Sequence, residues 1–276
     1  MGRKRVTQKF PFLLPLRLIQ RKTLYYAKMR FDGCRYADTL DEKQLPYTLF
    51  KTHCALRNGN TGFDMVYQEN KVFNLKLAAK TLNGLLIRPG EAFSFWRCVR
   101  HADKHTPYKD GLKVLNGSLT TAPGGGLCQM SNLLFWMFLH TPLTITERVG
   151  HDVKEFPEQN SDVIKGVDAT ISEGWIDVKA RNDTHCTCQI IITFDDNHII
   201  GTVLTDTRPT ILYKIENGPV TYTRKKDGIY ESANIERVET DTVSGEISGR
   251  HLLYTNICKI CYPLAEKVKI EEACSP

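Results

Sequence analysis

Three residues in one chain order carry the chemistry this sequence can attempt: Cys128, then His151, then Asp168. Cys128 follows Pro123-Gly124-Gly125-Gly126-Leu127. It opens a stretch in which Leu127, Met130, Leu133, Leu134, Met137 and Phe138 recur at helical spacing, the mark of one buried face. The pattern predicts a helix beginning at or near Cys128, with Ser131 and Asn132 on the same side, three and four residues on. At a helix start, unpaired N–H groups and the positive end of the dipole favour thiolate, the reactive form of cysteine. The glycines ahead of it open backbone conformations closed to other residues and let a neighbouring group come close. A structural explanation competes, because free cysteine is commonly buried and a glycine run also lets a helix pack tightly.

A cysteine at a helix start, then a histidine at a strand edge, then a carboxylate or amide on the next strand is the chain order of papain-like and transglutaminase-like folds. In such a set the histidine takes the thiol proton and the third residue holds the imidazole in the required tautomer. Asp152 and Asp177 compete with Asp168 for that third role. Gln129 is a candidate to polarise a substrate carbonyl, with Gly125, Gly126 and Ser131 beside it as substrate-binding positions. Backbone N–H groups at the helix start are candidates to hold an oxyanion.

Other constellations are weaker. Cys258 and Cys261 have zinc-knuckle or redox spacing, and Cys186 and Cys188 are a candidate second pair, but a CxC pair fits tetrahedral zinc poorly. His101 and His105 lie four apart in a stretch without helical periodicity. No metal and no cofactor is assigned. Phe93, Phe95 and Trp96 read as core beside a turn, and Trp136 lies off the buried stripe of its helix.

The elements that must position these residues follow from pattern. Residues 16–26 read as helical within a basic N-terminal stretch, and 36–66 as irregular. Residues 70–83 form a helical stripe that Gly84 caps. A turn at Arg88-Pro89-Gly90 leads into a short strand over 92–96, and Asn116-Gly117 marks a hairpin feeding the glycine loop. Thr141-Pro142 stops the Cys128 helix, and alternation over 143–149 predicts a strand before His151. Residues 167–171 and 175–180 read as a hairpin, followed by strands over 190–194, 199–204, 211–213, 220–223 and 235–240. The expected class is α+β, a core of helices and antiparallel sheet with a small all-β extension. The expected division is a basic arm and irregular segment over 1–66, a core over 67–205 and a β-rich extension over 206–276.

With 276 residues, 41% hydrophobic and 25% charged, the chain can bury a sizeable core in one large domain or two ordinary ones. Its net charge of +6 leans weakly toward anionic partners, and no RNP-like motif or finger spacing supports nucleic acid. Nine cysteines leave at least one thiol without an intramolecular disulfide partner. The first residues resemble the charged part of an export signal, yet Pro11, Pro15 and Arg17 break the apolar core that such a signal needs. No apolar run approaches the roughly 20 residues of a membrane span. The expectation is a cytoplasmic protein whose basic arm packs on the domain or lies against an anionic membrane face.

Four segments carry a family resemblance: Arg88 to Phe95, Gly124 to Ser131, Glu147-Arg148 with His151, and Gly166 to Thr170. They resemble successive motifs of the VanW family, over roughly residues 70–185. The resemblance implies glycopeptide resistance and cell-envelope context, with a peptidoglycan precursor or other peptide amide as substrate and resistance enzymes or the membrane surface as partners. It supplies motif positions, among them those of Cys128, His151 and Asp168, and no catalytic roles. Asn132-Leu133 stands where the family usually has a Thr-Thr pair. Two functions are expected to compete, a cysteine-dependent acyl-transfer enzyme and a non-catalytic accessory module.

Overall fold

The computed structural model describes residues 10–115, 118–154, 162–265 and 268–272. Its organising element is the helix Cys128–Leu139, along which Met130, Ser131 and every residue from Leu133 to Leu139 is buried. A helix apolar all round has no solvent face to present and must sit inside the fold. Numbered in chain order, the helices are α1 (Leu14–Phe31), α2 (Val66–Ala79), α3 (Phe95–Val99) and α4 (Cys128–Leu139). The fold is α+β.

Two sheets and a hairpin enclose α4. One sheet runs β2 (Thr39–Leu40), β4 (Leu85–Ile87), β11 (Cys188–Phe194), β12 (His198–Thr205), β3 (Tyr47–Ala55). The second runs β1 (Arg35–Tyr36), β5 (Glu91–Ser94), β10 (Lys179–Arg181), β8 (Thr144–Glu147). Helix α4 packs on β3 and β12 so closely that a side chain at Gly201 would overlap Met137 and Leu133. Strands β6 (Asp110–Leu115) and β7 (Ser118–Pro123) form the hairpin that delivers the glycine loop. The Asn116-Gly117 turn lies outside the described residues.

A third sheet is built from three long antiparallel strands, β13 (Ile211–Lys225), β14 (Gly228–Asp241) and β15 (Ile247–Ile260). It is edged by β16 (Ile270–Glu272) and by β9 (Val153–Lys154), which pairs in parallel with β15 immediately after His151.

Several elements differ from the sequence expectation, each for a physical reason. Residues 47–55 are not irregular but an edge strand, paired with β12 from Tyr47↔Thr205 to Ala55↔His198. Exposed Lys51 and His53 at the sheet edge spoil the apolar pattern that would have betrayed it. The strand over 92–96 ends at Ser94, whose hydroxyl accepts from the Arg97 N–H and starts α3 instead. The hairpin over 167–180 reduces to one bridge, Ser172↔Ile176, because β10 pairs with β5 and β8. The strands expected at 211–213 and 220–223 are one strand with an irregularity between Asn217 and Val220, and the strand before Cys261 is the long β15, which includes Cys258.

Gly125 crosses Gly111 of β6 with no room between the backbones, so an added Cβ would overlap the Gly111 carbonyl. Gly125→Ala is expected to lower stability by about 1–3 kcal/mol, an overpacking cost against rigid main chain. Gly59→Ala, with nothing within 4 Å of its Cβ position, is the control and should shift the thermal midpoint little.

Candidate active site

The glycine loop is a crossing of main chains as well as a hinge. Gly124 and Gly126 adopt φ of +74° and +89°, values a side chain would strain. Buried Asn74 of α2 clamps the loop, its Nδ2 donating to the carbonyls of Lys109 at 2.9 Å and Gly125 at 3.0 Å. The Lys71 stem lies against Gly126 and would be displaced by any side chain there. From this loop Cys128 enters as the first residue of α4, half-buried. The Gln129 and Met130 N–H groups turn back to Gly126 and Leu127, whereas among the described residues the Cys128 N–H makes no backbone hydrogen bond.

His151 reaches Cys128 from the far side. The two side chains interact electrostatically, and the His151 Nδ1 lies 2.5 Å from Asp168 Oδ2. The same carboxylate oxygen accepts from the His151 backbone N–H at 2.8 Å, so ring and main chain are fixed by one acceptor. The other oxygen, Oδ1, accepts from Arg148 Nη2 at 2.7 Å. Arg148 also donates to the Asp168 carbonyl at 2.7 Å and to Asn256 Oδ1 of β15 at 2.8 Å. Its guanidinium lies 4.5 Å from the Tyr254 ring centre and 5.5 Å from that of Phe135. His151, Asp168 and Arg148 form one hydrogen-bonded chain, with Cys128 acting on its imidazole end.

Electrostatics follow from that chain. Burial opposes charge on His151, but the hydrogen bond to Asp168 and the influence of the neighbouring Cys128 outweigh it and raise the imidazole pKa well above its ordinary value. Burial also opposes the Asp168 anion, and the His151 contacts with Arg148 overcome it, holding that carboxyl below its usual range. The arrangement favours an imidazolium held between sulfur and carboxylate.

The other expected site residues are placed differently. Gln129 donates through Nε2 to the Ala55 carbonyl at 2.6 Å and to Cys54 Sγ at 3.3 Å, which engages its amide in holding β3. Ser131 is fully buried, and its hydroxyl bonds the carbonyls of Cys128 at 3.0 Å and Ala169 at 2.7 Å. Both side chains are engaged by main chain of distant segments. Gly125 is buried at the crossing with β6, which makes it a packing position. Asp152 is exposed and contributes only its carbonyl, to the Lys259 N–H. Asp177 is buried elsewhere, among Tyr25, Ser94 and Trp96. Among the described residues no group of three or more His, Cys, Asp or Glu could hold a metal. Cys258 is buried within β15 and Cys261 is exposed beyond it; Cys54, Cys98 and Cys128 are among the eight free thiols described. Cys274 lies outside the described residues. Trp136, Phe93 and Phe95 are core.

Two residues went unassigned in the sequence. Arg148 was visible only as part of the Glu147-Arg148 motif. Asn132 accepts through Oδ1 from the Ala169 N–H at 2.8 Å and, with Ser131, fixes the segment that carries Asp168. The residue that departs from the family's usual threonine therefore positions the carboxylate.

A family model described as VanW like protein matches residues 70–204. The Vancomycin B-type resistance protein VanW of Enterococcus faecalis (strain ATCC 700802 / V583) is 70% identical over 273 residues, 99% of each chain. Uncharacterized protein YoaR of Bacillus subtilis (strain 168) is 32% identical over 114 residues, 41% of this chain and 36% of its own. No solved structure matches.

Arg148→Ala strips the Asp168 carboxylate of its buried cation and should cost about 3–5 kcal/mol in urea unfolding. The His151 contribution has a definite sign. A pKa raised on folding means stability that is fully present below the unfolded imidazole value and is lost as pH rises through the folded one. The stability gap between the natural protein and His151→Gln should therefore be wide near pH 6 and narrow near pH 10, as read by urea unfolding at both.

Proposed function

We propose that this chain, which belongs to the VanW family, is a cysteine-dependent acyl-transfer or amide-cleaving enzyme of cell-wall precursor metabolism that serves vancomycin resistance. The observation supporting this is the hydrogen-bonded set His151–Asp168–Arg148, whose imidazole also responds to the Cys128 thiol. The resistance context rests on the near full-length likeness to the Enterococcus faecalis protein. The substrate class is a peptide amide such as that of a peptidoglycan precursor.

In this reading Asp168 occupies Nδ1 of His151, which leaves Nε2 for Cys128. His151 takes the Cys128 proton and stays protonated beside Asp168. The sulfur attacks the substrate carbonyl carbon, and the carbonyl oxygen becomes an oxyanion within reach of the Cys128 N–H, a donor with no backbone acceptor of its own among the described residues. Collapse breaks the C–N bond, the departing nitrogen takes the His151 proton, and the acyl group remains as a thioester on Cys128. Water, or a second amine, then attacks the thioester with His151 as base and restores the thiol. No side chain of Gln129 or Ser131 is needed, so the oxyanion is left to main chain.

The test is competitive alkylation of the full-length protein with iodoacetamide near neutral pH. Half-buried Cys128 should be labelled faster than exposed Cys34 and Cys261, and His151→Gln should abolish that preference. Labelling of Cys128 no faster than Cys34, together with an unchanged resistance phenotype in Cys128→Ala, would favour the non-catalytic accessory module instead.

A further inference from the structure

The element that the candidate chemistry leaves unused is α1. It is held to the core by one side only. Tyr25 donates to Asp177 at 2.6 Å, Tyr26 donates to Glu173 at 3.0 Å, Lys22 pairs with Glu173, and Met29 is buried against Tyr36 and Ala92. These contacts fall within residues 22–29 and fix the helix as a rigid strut, while residues 14–20 are exposed throughout.

The opposite side is uncovered and mostly apolar, with exposed Ala27 and Gln20 lying among its larger side chains. Leu16 is 65% exposed, Leu24 58% and Phe31 82%. At 100° per residue these three share one face, turned away from the one that carries Tyr25 and Met29. Arg17 and Lys28 flank that face along one edge and Arg30 along the other, all exposed. From residue 10 to residue 31 the chain has no acidic side chain and five basic ones. An apolar stripe between cationic edges, on a helix lying flat against a folded body, matches a lipid interface. Acyl chains take the stripe, and anionic headgroups take the edges. No helix among the described residues is long and apolar enough to cross a membrane, so the contact would be made along the surface.

We propose that the outer face of α1 docks the protein on an anionic phospholipid surface, with Leu16, Leu24 and Phe31 entering the headgroup boundary and Arg17, Lys28 and Arg30 pairing with phosphates. The charge pattern selects this occupant over a second copy of the chain. Two such faces would bring three basic groups against three with no acid on either helix to pair them.

The experiment is co-sedimentation of the full-length protein with vesicles of phosphatidylcholine alone, or of equimolar phosphatidylcholine and phosphatidylglycerol. The protein should pellet with the mixed vesicles only, and added salt should weaken the binding. Leu24→Glu with Phe31→Glu should reduce binding by at least about tenfold, since two large apolar side chains no longer enter the boundary. The thermal midpoint should stay unchanged, because both residues are exposed in the fold. Arg17→Gln with Lys28→Gln, which leaves the apolar stripe intact, should weaken binding and flatten its salt dependence. Equal binding to both vesicle types would overturn the anionic claim. Absence of pelleting would overturn the docking claim, as would concentration-dependent self-association in sedimentation that the Leu24/Phe31 variant abolishes.

Discussion

The Arg148–Asp168 ion pair is the constraint on which the site depends. Both side chains are only 13% exposed, so each charge is tolerable only because the other is present. That necessity reaches well beyond the pair. Arg148 directly follows β8, Asp168 immediately precedes Ala169, which Ser131 and Asn132 of α4 hold by its carbonyl and N–H, and Asn256 and Tyr254 belong to β15. Satisfying one buried guanidinium thus brings together the central helix, the loop that bears His151 and the third sheet. A carboxylate held on one oxygen by arginine has the other free to hold a histidine, and here that oxygen takes both the ring and the main-chain N–H of His151.

The third sheet has a definite relation to this arrangement. Strand β9 begins two residues after His151 and joins β15 in parallel, while the Lys259 N–H binds the Asp152 carbonyl. The histidine loop is therefore clamped at Arg148 on one side and at β9 on the other, with both clamps made to β15. In the proposed reaction His151 would accept and return a proton, a task that needs this kind of support, since small displacements lose the geometry. Chain order alone could not disclose it. Arg148 lies more than a hundred residues from Asn256, and β15 carries alternating polar residues whose meaning depends on what crosses them.

What was legible in the sequence was what depends on local pattern. The periodicity from Leu127 to Phe138 placed Cys128 at a helix start, and the alternation before His151 placed the histidine after a strand. The roles of the neighbours were not legible, because helix phase does not say which polar group finds a buried acceptor. Gln129 and Ser131 lie beside Cys128 in sequence, but their amide and hydroxyl answer to Ala55 and Ala169, main-chain carbonyls contributed by distant segments. The two explanations offered for the glycine run turn out to be compatible. Gly125 is required by the crossing with Gly111, and that same crossing brings Cys128 to the mouth of the helix.

The two buried aspartates show how partners decide the direction in which burial moves a carboxyl. Asp177 accepts from the Tyr25 and Ser94 hydroxyls and from the Trp96 and Val178 N–H groups, nearly all neutral donors, and burial raises its pKa above the ordinary carboxylate value. Asp168 is buried too, yet an arginine and a histidine face it, and its pKa falls. Neutral donors satisfy the lone pairs of a carboxylate without repaying the cost of desolvating its charge, whereas cations do both. Asp177 is accordingly suited to fastening α1 and α3 to the core, a structural task indifferent to its proton. Only Asp168 is suited to keeping an imidazole charged beside a thiol, and it is the arginine behind it, rather than its place in the chain, that makes the difference.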